Sequence, residues 1–151
     1  MIYKTKKDFL LNCKYNTRLV GLDIGTKNIG VALTDRNRIL ATPKFVLKRK
    51  SNEKDIQILL DYFKENLVGG IVVGEPLNSN NEETKCSKFI KSFIEKLQNY
   101  TDLPIFFVNE VLTSFQAEDF LINDMGSKCK NVKGIVDKVA ASYILEDFLN
   151  N

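Results

Sequence analysis

The sequence of 151 residues contains no histidine. This absence excludes catalysis by a Ser-His-Asp or Cys-His arrangement, and it removes imidazole as a ligand for zinc. Acid–base chemistry near neutral pH must therefore come from carboxylates, lysine, tyrosine, metal-bound water or the substrate itself.

Cysteine is also scarce, and the three residues Cys13, Cys86 and Cys129 are widely separated. An odd number at these spacings fits neither a disulfide framework nor a thiolate metal site, so we expect free thiols in a reducing compartment. Long apolar runs are lacking as well. None reaches the ~18 residues of a membrane-spanning helix, and Phe9-Leu10-Leu11 is too short for a signal peptide. We therefore expect a cytoplasmic protein without membrane contact.

The charged residues, 22 Lys+Arg against 19 Asp+Glu, give a net charge of +3, which permits a polyanionic partner without requiring one. With 44% hydrophobic residues, the chain has the composition of a folded globular protein. Its length suits one domain. We expect residues 1–18 to form a short basic extension and residues 19–151 to form a single domain.

Three short apolar segments predict an antiparallel meander of strands at 19–24, 29–34 and 39–47. The first is almost continuously apolar, which is typical of a strand buried on both faces. Pro43 lies within the third and places that strand at a sheet edge.

Helices and strands alternate after the meander. A helix capped by Ser51 or Asn52 should end at Gly69-Gly70. The elements that follow are a strand at 71–73, closed by Gly74-Glu75-Pro76, a helix from about Asn81, a strand at 104–108, a helix from Thr113, a basic loop at 124–134 and a last helix at about 135–149. This order makes the later strands parallel and predicts an α/β domain with a mixed sheet.

Two aspartates stand in apolar surroundings. Asp23 interrupts a buried strand, where an unpaired charge costs several kcal/mol, and Gly25 follows in a turn that a ligand could approach. Asp137 falls in the apolar stripe of the last helix. The alternatives are a carboxylate hydrogen-bonded to turn amides for Asp23, and a rim residue favoured by the helix dipole for Asp137.

Two glutamates follow predicted strands. Glu110 comes after the strand at 104–108 and Glu75 after the strand at 71–73, and α/β sheets place their sites at the carboxyl ends of parallel strands. A plain loop glutamate is the better interpretation for Glu75 alone. Together, such carboxylates suit Mg²⁺ or Mn²⁺, and a pair of these ions can promote phosphodiester cleavage without histidine.

Four sequence blocks carry a resemblance to a known family. They are Gly21-Leu22-Asp23-Ile24-Gly25-Thr26-Lys27 with Gly30-Val31-Ala32, Ile71-Val72-Val73-Gly74-Glu75-Pro76-Leu77-Asn78, Asn109-Glu110-Val111-Leu112-Thr113-Ser114, and Val136-Asp137-Lys138-Val139-Ala140-Ala141 with Ile144-Leu145. In these blocks the chain resembles the YqgF (RuvX) family, described as Holliday-junction-resolvase-like proteins and pre-16S rRNA nucleases. The resemblance implies a ribonuclease H-like three-layer domain, with a five-stranded sheet of order 3-2-1-4-5 and helices on both faces.

The resemblance assigns the catalytic and metal-binding roles to Asp23, Glu110 and Asp137, with Mg²⁺ or Mn²⁺ as the cofactor. In resolvases of this fold a glutamate at the end of the fourth strand is a metal ligand, and Glu75 stands near that position. We nevertheless expect Glu110 to be the third ligand.

We expect the substrate to contact residues on several loops, namely Lys27, Asn28, Thr113, Ser114 and Lys133. Lys133 belongs to the basic loop that also holds Lys128 and Lys130, and Lys48-Arg49-Lys50 is an alternative surface. Two positions depart from the family pattern in the third block, where Asn109 and Val111 replace an aspartate and an arginine. Asn28 stands where the family often has arginine, so positive charge is lost twice.

The leading hypothesis is a metal-dependent endonuclease that cleaves structured nucleic acid, in particular pre-16S rRNA at its 5' end during ribosome biogenesis. A pre-ribosomal particle would then be a partner. The alternatives are an RNA-binding ribosome-assembly factor with little or no cleavage and a resolvase acting on branched DNA. The Asp23-Ile24-Gly25-Thr26 turn also matches the phosphate hairpin of actin-like ATPases, but those proteins need two lobes and a far longer chain.

Overall fold

The computed structural model describes residues 1–77, 80, 82–111 and 134–151, without the side chains of residues 111 and 134–138. Its elements are β1 (Ile2–Tyr3), α1 (Lys6–Asn12), β2 (Arg18–Ile24), β3 (Asn28–Thr34), β4 (Ala41–Lys48), α2 (Asn52–Glu65), β5 (Val68–Leu77), α3 (Lys85–Gln98), β6 (Ile105–Val111) and α4 (Gly134–Asn150). The helix predicted from Thr113 and most of the predicted basic loop lie outside the described residues. No helix in the described ranges is long and apolar enough to cross a membrane.

The strands form one mixed sheet in the order β1-β6-β5-β2-β3-β4. The predicted order of five strands is present, with β2–β3–β4 antiparallel and β2, β5 and β6 parallel. Pro43 lies in the edge strand β4, as predicted. The prediction of five strands was wrong, because β1 adds a sixth beyond β6 by pairing Ile2 with Ile105. A strand of two residues is too short to show a periodic pattern.

The N-terminal segment packs on the domain through α1. Thr5 caps this helix by accepting a hydrogen bond from the Asp8 N–H. Phe9 is fully buried, and its ring lies 5.8 Å from that of Phe106 and 5.5 Å from that of Phe148, measured between centroids. Residues 1–18 therefore contribute both a strand and a core side chain.

The helices of the middle region begin and end at other residues than predicted. Ser51 caps α2 as expected, but α2 ends at Glu65, and Gly69 and Gly70 lie inside β5. These glycines admit close neighbours instead, since a Cβ on either would meet the side chain of Thr17 or Cys13. Helix α3 begins at Lys85 rather than near Asn81, because the Thr84 side chain caps it.

Strands β5 and β6 are longer than predicted, so Glu75 and Glu110 lie within strands rather than after them. The ladder continues through Glu75 with Asn109 and Pro76 with Glu110. Proline is tolerated there because β2 pairs with β5 only as far as Leu22 and Val73.

Each face of the sheet carries one hydrophobic core. Helices α2 and α3 cover one face, whose buried side chains include Leu22, Val73 and Ile90. Helices α1 and α4 cover the other face, with Leu19, Val72 and Ile144. We call the second face the α4 face. Because successive side chains of a strand point to opposite faces, each residue of β2, β5 and β6 can be assigned to one of the two layers.

Candidate active site

Asp23 lies next to the last residue of β2, opposite Gly30 on β3, and only 3% of its surface is exposed. Its side chain belongs to the α4 face, since Gly21, two residues earlier, contacts α4. A Cβ on Gly21 would lie 2.8 Å from the backbone oxygen of Ala141. The strand pattern thus delivers a buried carboxylate to the space beneath α4.

Glu110 belongs to the same face. Val108, two residues before it in β6, is part of the core under α4. A Cβ built on Gly74 would lie 3.6 Å from Glu110 Cγ and 2.5 Å from Ile144 Cδ1. The side chain of Glu110 therefore leans toward β5, at a position where β5 has no side chain of its own.

Gly74 stands between the two carboxylates. It pairs with Val108 on β6 and follows Val73, which pairs with Leu22 on β2. Strands β2 and β6 are two strand spacings apart, about 10 Å, so a carboxylate from β6 must cross β5 to approach Asp23. The missing side chain at Gly74 leaves room for this crossing.

Glu75 lies in the strand next to β2, but its side chain faces the other layer. It is 6% exposed, accepts a hydrogen bond from the Ser87 hydroxyl and lies 3.0 Å from the Lys91 ammonium. Hydrogen bonds from Lys91 to Glu83 and Glu75 raise the pKa of Lys91 above its usual value, although partial burial opposes this shift. Glu75 was the alternative ligand because it stands near the glutamate position of resolvases, but the alternation of side chains directs it to the face opposite Asp23.

Asp137 is a residue of α4, and its side chain lies outside the described part of the structure. The predicted apolar stripe of this helix is confirmed for the residues that follow, since Ala141, Ile144, Leu145 and Phe148 are buried. These residues lie four, seven, eight and eleven positions after Asp137. The orientation of Asp137 toward Asp23 and Glu110 stays a prediction from this spacing.

The remaining predicted contact residues divide between described and undescribed segments. Lys27 is exposed in the turn between β2 and β3, and the half-buried Asn28 closes that turn by accepting a hydrogen bond from the Gly25 N–H at 2.8 Å. Asn28 pairs across the strands with Lys48, which is also exposed. The other predicted contacts, Thr113, Ser114, Lys128, Lys130 and Lys133, lie outside the described residues.

Sequence reasoning missed a buried ion pair behind this turn. Arg49 Nε lies 3.2 Å from Asp55 Oδ2, and the Asp55 side chain is fully buried. A signal was present, because Asp55 stands four residues before the buried Leu59 in the stripe of α2. It is the same signal that singled out Asp137.

No group of three His, Cys, Asp or Glu side chains that could hold a metal occurs among the described residues. Asp137 is not among those side chains. The described part places two carboxylates, Asp23 and Glu110, on the face that α4 covers.

Comparison with known proteins identifies the family. The family model described as "RuvX: Holliday junction resolvase" matches residues 17–151. A protein of Endomicrobium trichonymphae named "Putative pre-16S rRNA nuclease" is 39% identical over 88% of this chain and 95% of its own length. A protein of the same name from Ruegeria sp. (strain TM1040) is 37% identical over 99% of this chain and 95% of its own.

A solved structure shows the same fold at low identity. T. thermophilus RuvC, in complex with a Holliday junction substrate, superposes with a TM-score of 0.50 at 10% identity, covering 89% of this chain and 94% of that one. The prediction of a ribonuclease H-like α/β domain is thus confirmed. The resemblance drawn from the four sequence blocks is confirmed as well, and the chain belongs to the RuvX family.

Proposed function

We propose that this protein is a divalent-metal-dependent endonuclease that cleaves structured nucleic acid, with pre-16S rRNA as its substrate. The observation that carries the proposal is the placement of Asp23 and Glu110 on one face, with Gly74 between them. Helix α4, which bears Asp137, packs on that same face. The names of the relatives, pre-16S rRNA nuclease, support the choice of substrate.

The donor set fits the metal. Carboxylate oxygens are the ligands that Mg²⁺ and Mn²⁺ prefer, and a chain without histidine offers few alternatives. Asp23 and Glu110 would hold the ion together with Asp137. When bound, it would neutralise charge on the phosphoryl oxygens and activate the attacking nucleophile.

The protein's own residues contribute position and charge. Burial fixes the Asp23 carboxylate in a place where water cannot fully solvate it, so a bound cation would offset the cost of desolvation. Glu110 reaches over Gly74 toward the same space. The exposed Lys27 and Lys48 lie beside Asn28 at this end of the sheet, where they can contact phosphates.

The departure at Asn109 does not affect the carboxylate pair. Asn109 is exposed and pairs with Glu75 across the strands, so alternation directs its side chain away from the α4 face. This placement favours an active enzyme over a binding protein that has lost cleavage.

A second substrate is favoured by the family description. It names Holliday junction resolvases, so a four-way DNA junction is the competing candidate. Both candidates present closely spaced phosphates from more than one strand, and they differ in the sugar.

The test compares cleavage of a pre-16S rRNA fragment and a four-way DNA junction, each with Mg²⁺ or Mn²⁺ and with EDTA. We expect metal-dependent cleavage of the rRNA fragment, lost in Asp23→Asn because the variant keeps the shape but not the charge. The exposed Asp61→Asn is the matched control and should cleave normally. Preferential cleavage of the junction would favour the resolvase. RNA binding without cleavage by the parent would favour the assembly factor, and equal activity of Asp23→Asn would exclude a catalytic role for Asp23.

A further inference from the structure

Arg49 forms hydrogen bonds to the turn that follows Asp23, from the side of the sheet that α2 and α3 cover. The Arg49 backbone N–H donates to the Lys27 carbonyl at 2.8 Å, and its Nη1 donates to the Gly25 carbonyl at 3.2 Å. Two of the three residues between β2 and β3 are thereby fixed by one arginine. The turn begins two residues after Asp23, so its conformation sets the direction in which β2 ends.

Arg49 is itself held on several sides. Its Nε donates to Asp55 Oδ2 at 3.2 Å, and its Nη2 donates to the Asn52 side chain. The guanidinium carbon lies 4.7 Å from the ring centroid of Phe93 and 5.3 Å from that of Phe89. A guanidinium with this many partners is held in one position. Its hydrogen bond to Gly25 therefore restrains the backbone of the turn.

The energetic cost of this arrangement indicates a positional role. The Arg49 side chain is 10% exposed and the Asp55 side chain 0%, so both charges are largely removed from water. A buried ion pair of this kind contributes little net stability compared with apolar side chains of equal volume. The ion pair holds the planar guanidinium of Arg49 in one orientation, so that its several N–H donors reach separate acceptors. A lysine ammonium cannot reproduce this arrangement.

We propose that Arg49 is a positioning residue that fixes the β2–β3 turn and thereby the metal affinity at Asp23. The inference rests on the proposed function for the presence of a metal at Asp23. The action of Arg49 on the turn does not depend on cleavage. Arg49 lies among the aromatic side chains of the α2 and α3 layer, whereas Asp23 faces α4. It therefore acts through the turn and not by contact with the metal or the substrate.

The test uses Arg49→Met and Arg49→Lys and reads hydrogen exchange of the Gly25 amide, which donates to Asn28 within the turn. A second readout is the affinity for Mn²⁺ alone, measured by calorimetry. Arg49→Lys keeps a positive charge beside Asp55, so it should fold normally. It should still lose the bond to Gly25, because one ammonium cannot serve three separated acceptors.

Arg38→Met is the matched control. Arg38 is partly buried, and it donates to the carbonyls of Thr17 at 3.0 Å and Lys14 at 2.8 Å. These residues precede β2, at the end of the strand remote from Asp23. The control therefore removes similar bonds from a turn that should not influence the metal.

For both Arg49 variants we expect Gly25 exchange at least tenfold faster, exchange in the centre of β5 unchanged, and Mn²⁺ affinity at least fivefold weaker. Arg38→Met should leave Gly25 exchange and Mn²⁺ affinity unchanged. Unchanged Gly25 exchange in Arg49→Lys would overturn the inference, and so would equal loss of Mn²⁺ affinity in Arg38→Met. If the parent bound no Mn²⁺, the proposed function and the metal part of the inference would both fail, whereas unchanged Gly25 exchange overturns the inference alone.

Discussion

The variants Glu110→Gln and Glu75→Gln should differ in their effects, one lowering the affinity for Mn²⁺ and the other lowering the free energy of unfolding. Glu110→Gln removes a charge from the α4 face, to which Asp23 also belongs, and we expect Mn²⁺ affinity to fall at least tenfold, about 1.4 kcal/mol. The free energy of unfolding should stay the same or rise slightly, because repulsion between two carboxylates on one face is reduced.

Glu75→Gln should have the opposite profile. Glu75 is buried on the other face and is bonded to Ser87 and Lys91. Glutamine can still accept from the Ser87 hydroxyl but loses the charge opposite Lys91, whose ammonium is partly solvated. We expect a loss of about 1–2 kcal/mol of unfolding free energy and a change in Mn²⁺ affinity of less than about twofold.

Calorimetric titration of Mn²⁺ and denaturant unfolding of the parent and both variants give the two quantities. Ser87→Ala is the control for the structural arm, since it removes a partner of Glu75 without touching the α4 face. It should lower stability and leave Mn²⁺ affinity unchanged. If only Glu75→Gln lost the ion, the assignment of Glu110 and the argument from side-chain alternation would both be refuted.

Three further predictions concern packing, pH and charge. Gly21→Ala should lower unfolding free energy by about 2–3 kcal/mol and Gly74→Ala by less, because a Cβ at the first meets backbone of α4 and at the second the end of an isoleucine side chain; equal losses in denaturant unfolding would contradict this. Burial raises the pKa of the Cys13 thiol from 9.0 to about 11. Since the unfolded chain releases this proton first, raising the pH from 9 to 11 should lower the unfolding free energy of the parent by about 2 kcal/mol, and denaturant unfolding of Cys13→Ala should not show this loss. Replacing Lys27 and Lys48 by glutamine should reduce the salt dependence of nucleic-acid binding by about one unit of slope per lost phosphate contact, and an unchanged slope would place the contacts elsewhere.

Local sequence patterns were sufficient for the order of the elements from β2 to β6 and for the first carboxylate, but not for β1 and α1. The continuous apolar strand around Asp23 marks a buried position regardless of the rest of the chain, and the structure leaves that residue 3% exposed. Crossover connections made β5 and β6 parallel to β2 by a general rule. The apolar stripe of α4 was likewise predicted from the helical spacing of its apolar residues, and the described residues of this stripe are buried as expected.

Choosing between Glu75 and Glu110 required information that local patterns do not hold. Which face a strand residue occupies depends on its register with partner strands, and a shift of one residue reverses the face. The glycine that admits Glu110 is recognisable only once Ile144 is seen above it. Arg49 could not be predicted for a similar reason, because its partners come from a turn, α2 and α3, which meet only in the folded chain.

Two of the positions that depart from the family pattern, Asn109 and Asn28, have described side chains, and the two departures have different consequences. Asn109 is exposed on the face that Glu75 occupies, so its effect should not fall on the carboxylates of the α4 face. Asn28 lies at the rim of the site, and its cross-strand partner is the exposed Lys48. Directly opposite residues of an antiparallel pair have Cβ atoms about 5 Å apart. Because a lysine side chain is longer than that separation, Lys48 can bring a positive charge to the place where the family often has an arginine, and cationic character at this rim is retained through a neighbouring strand.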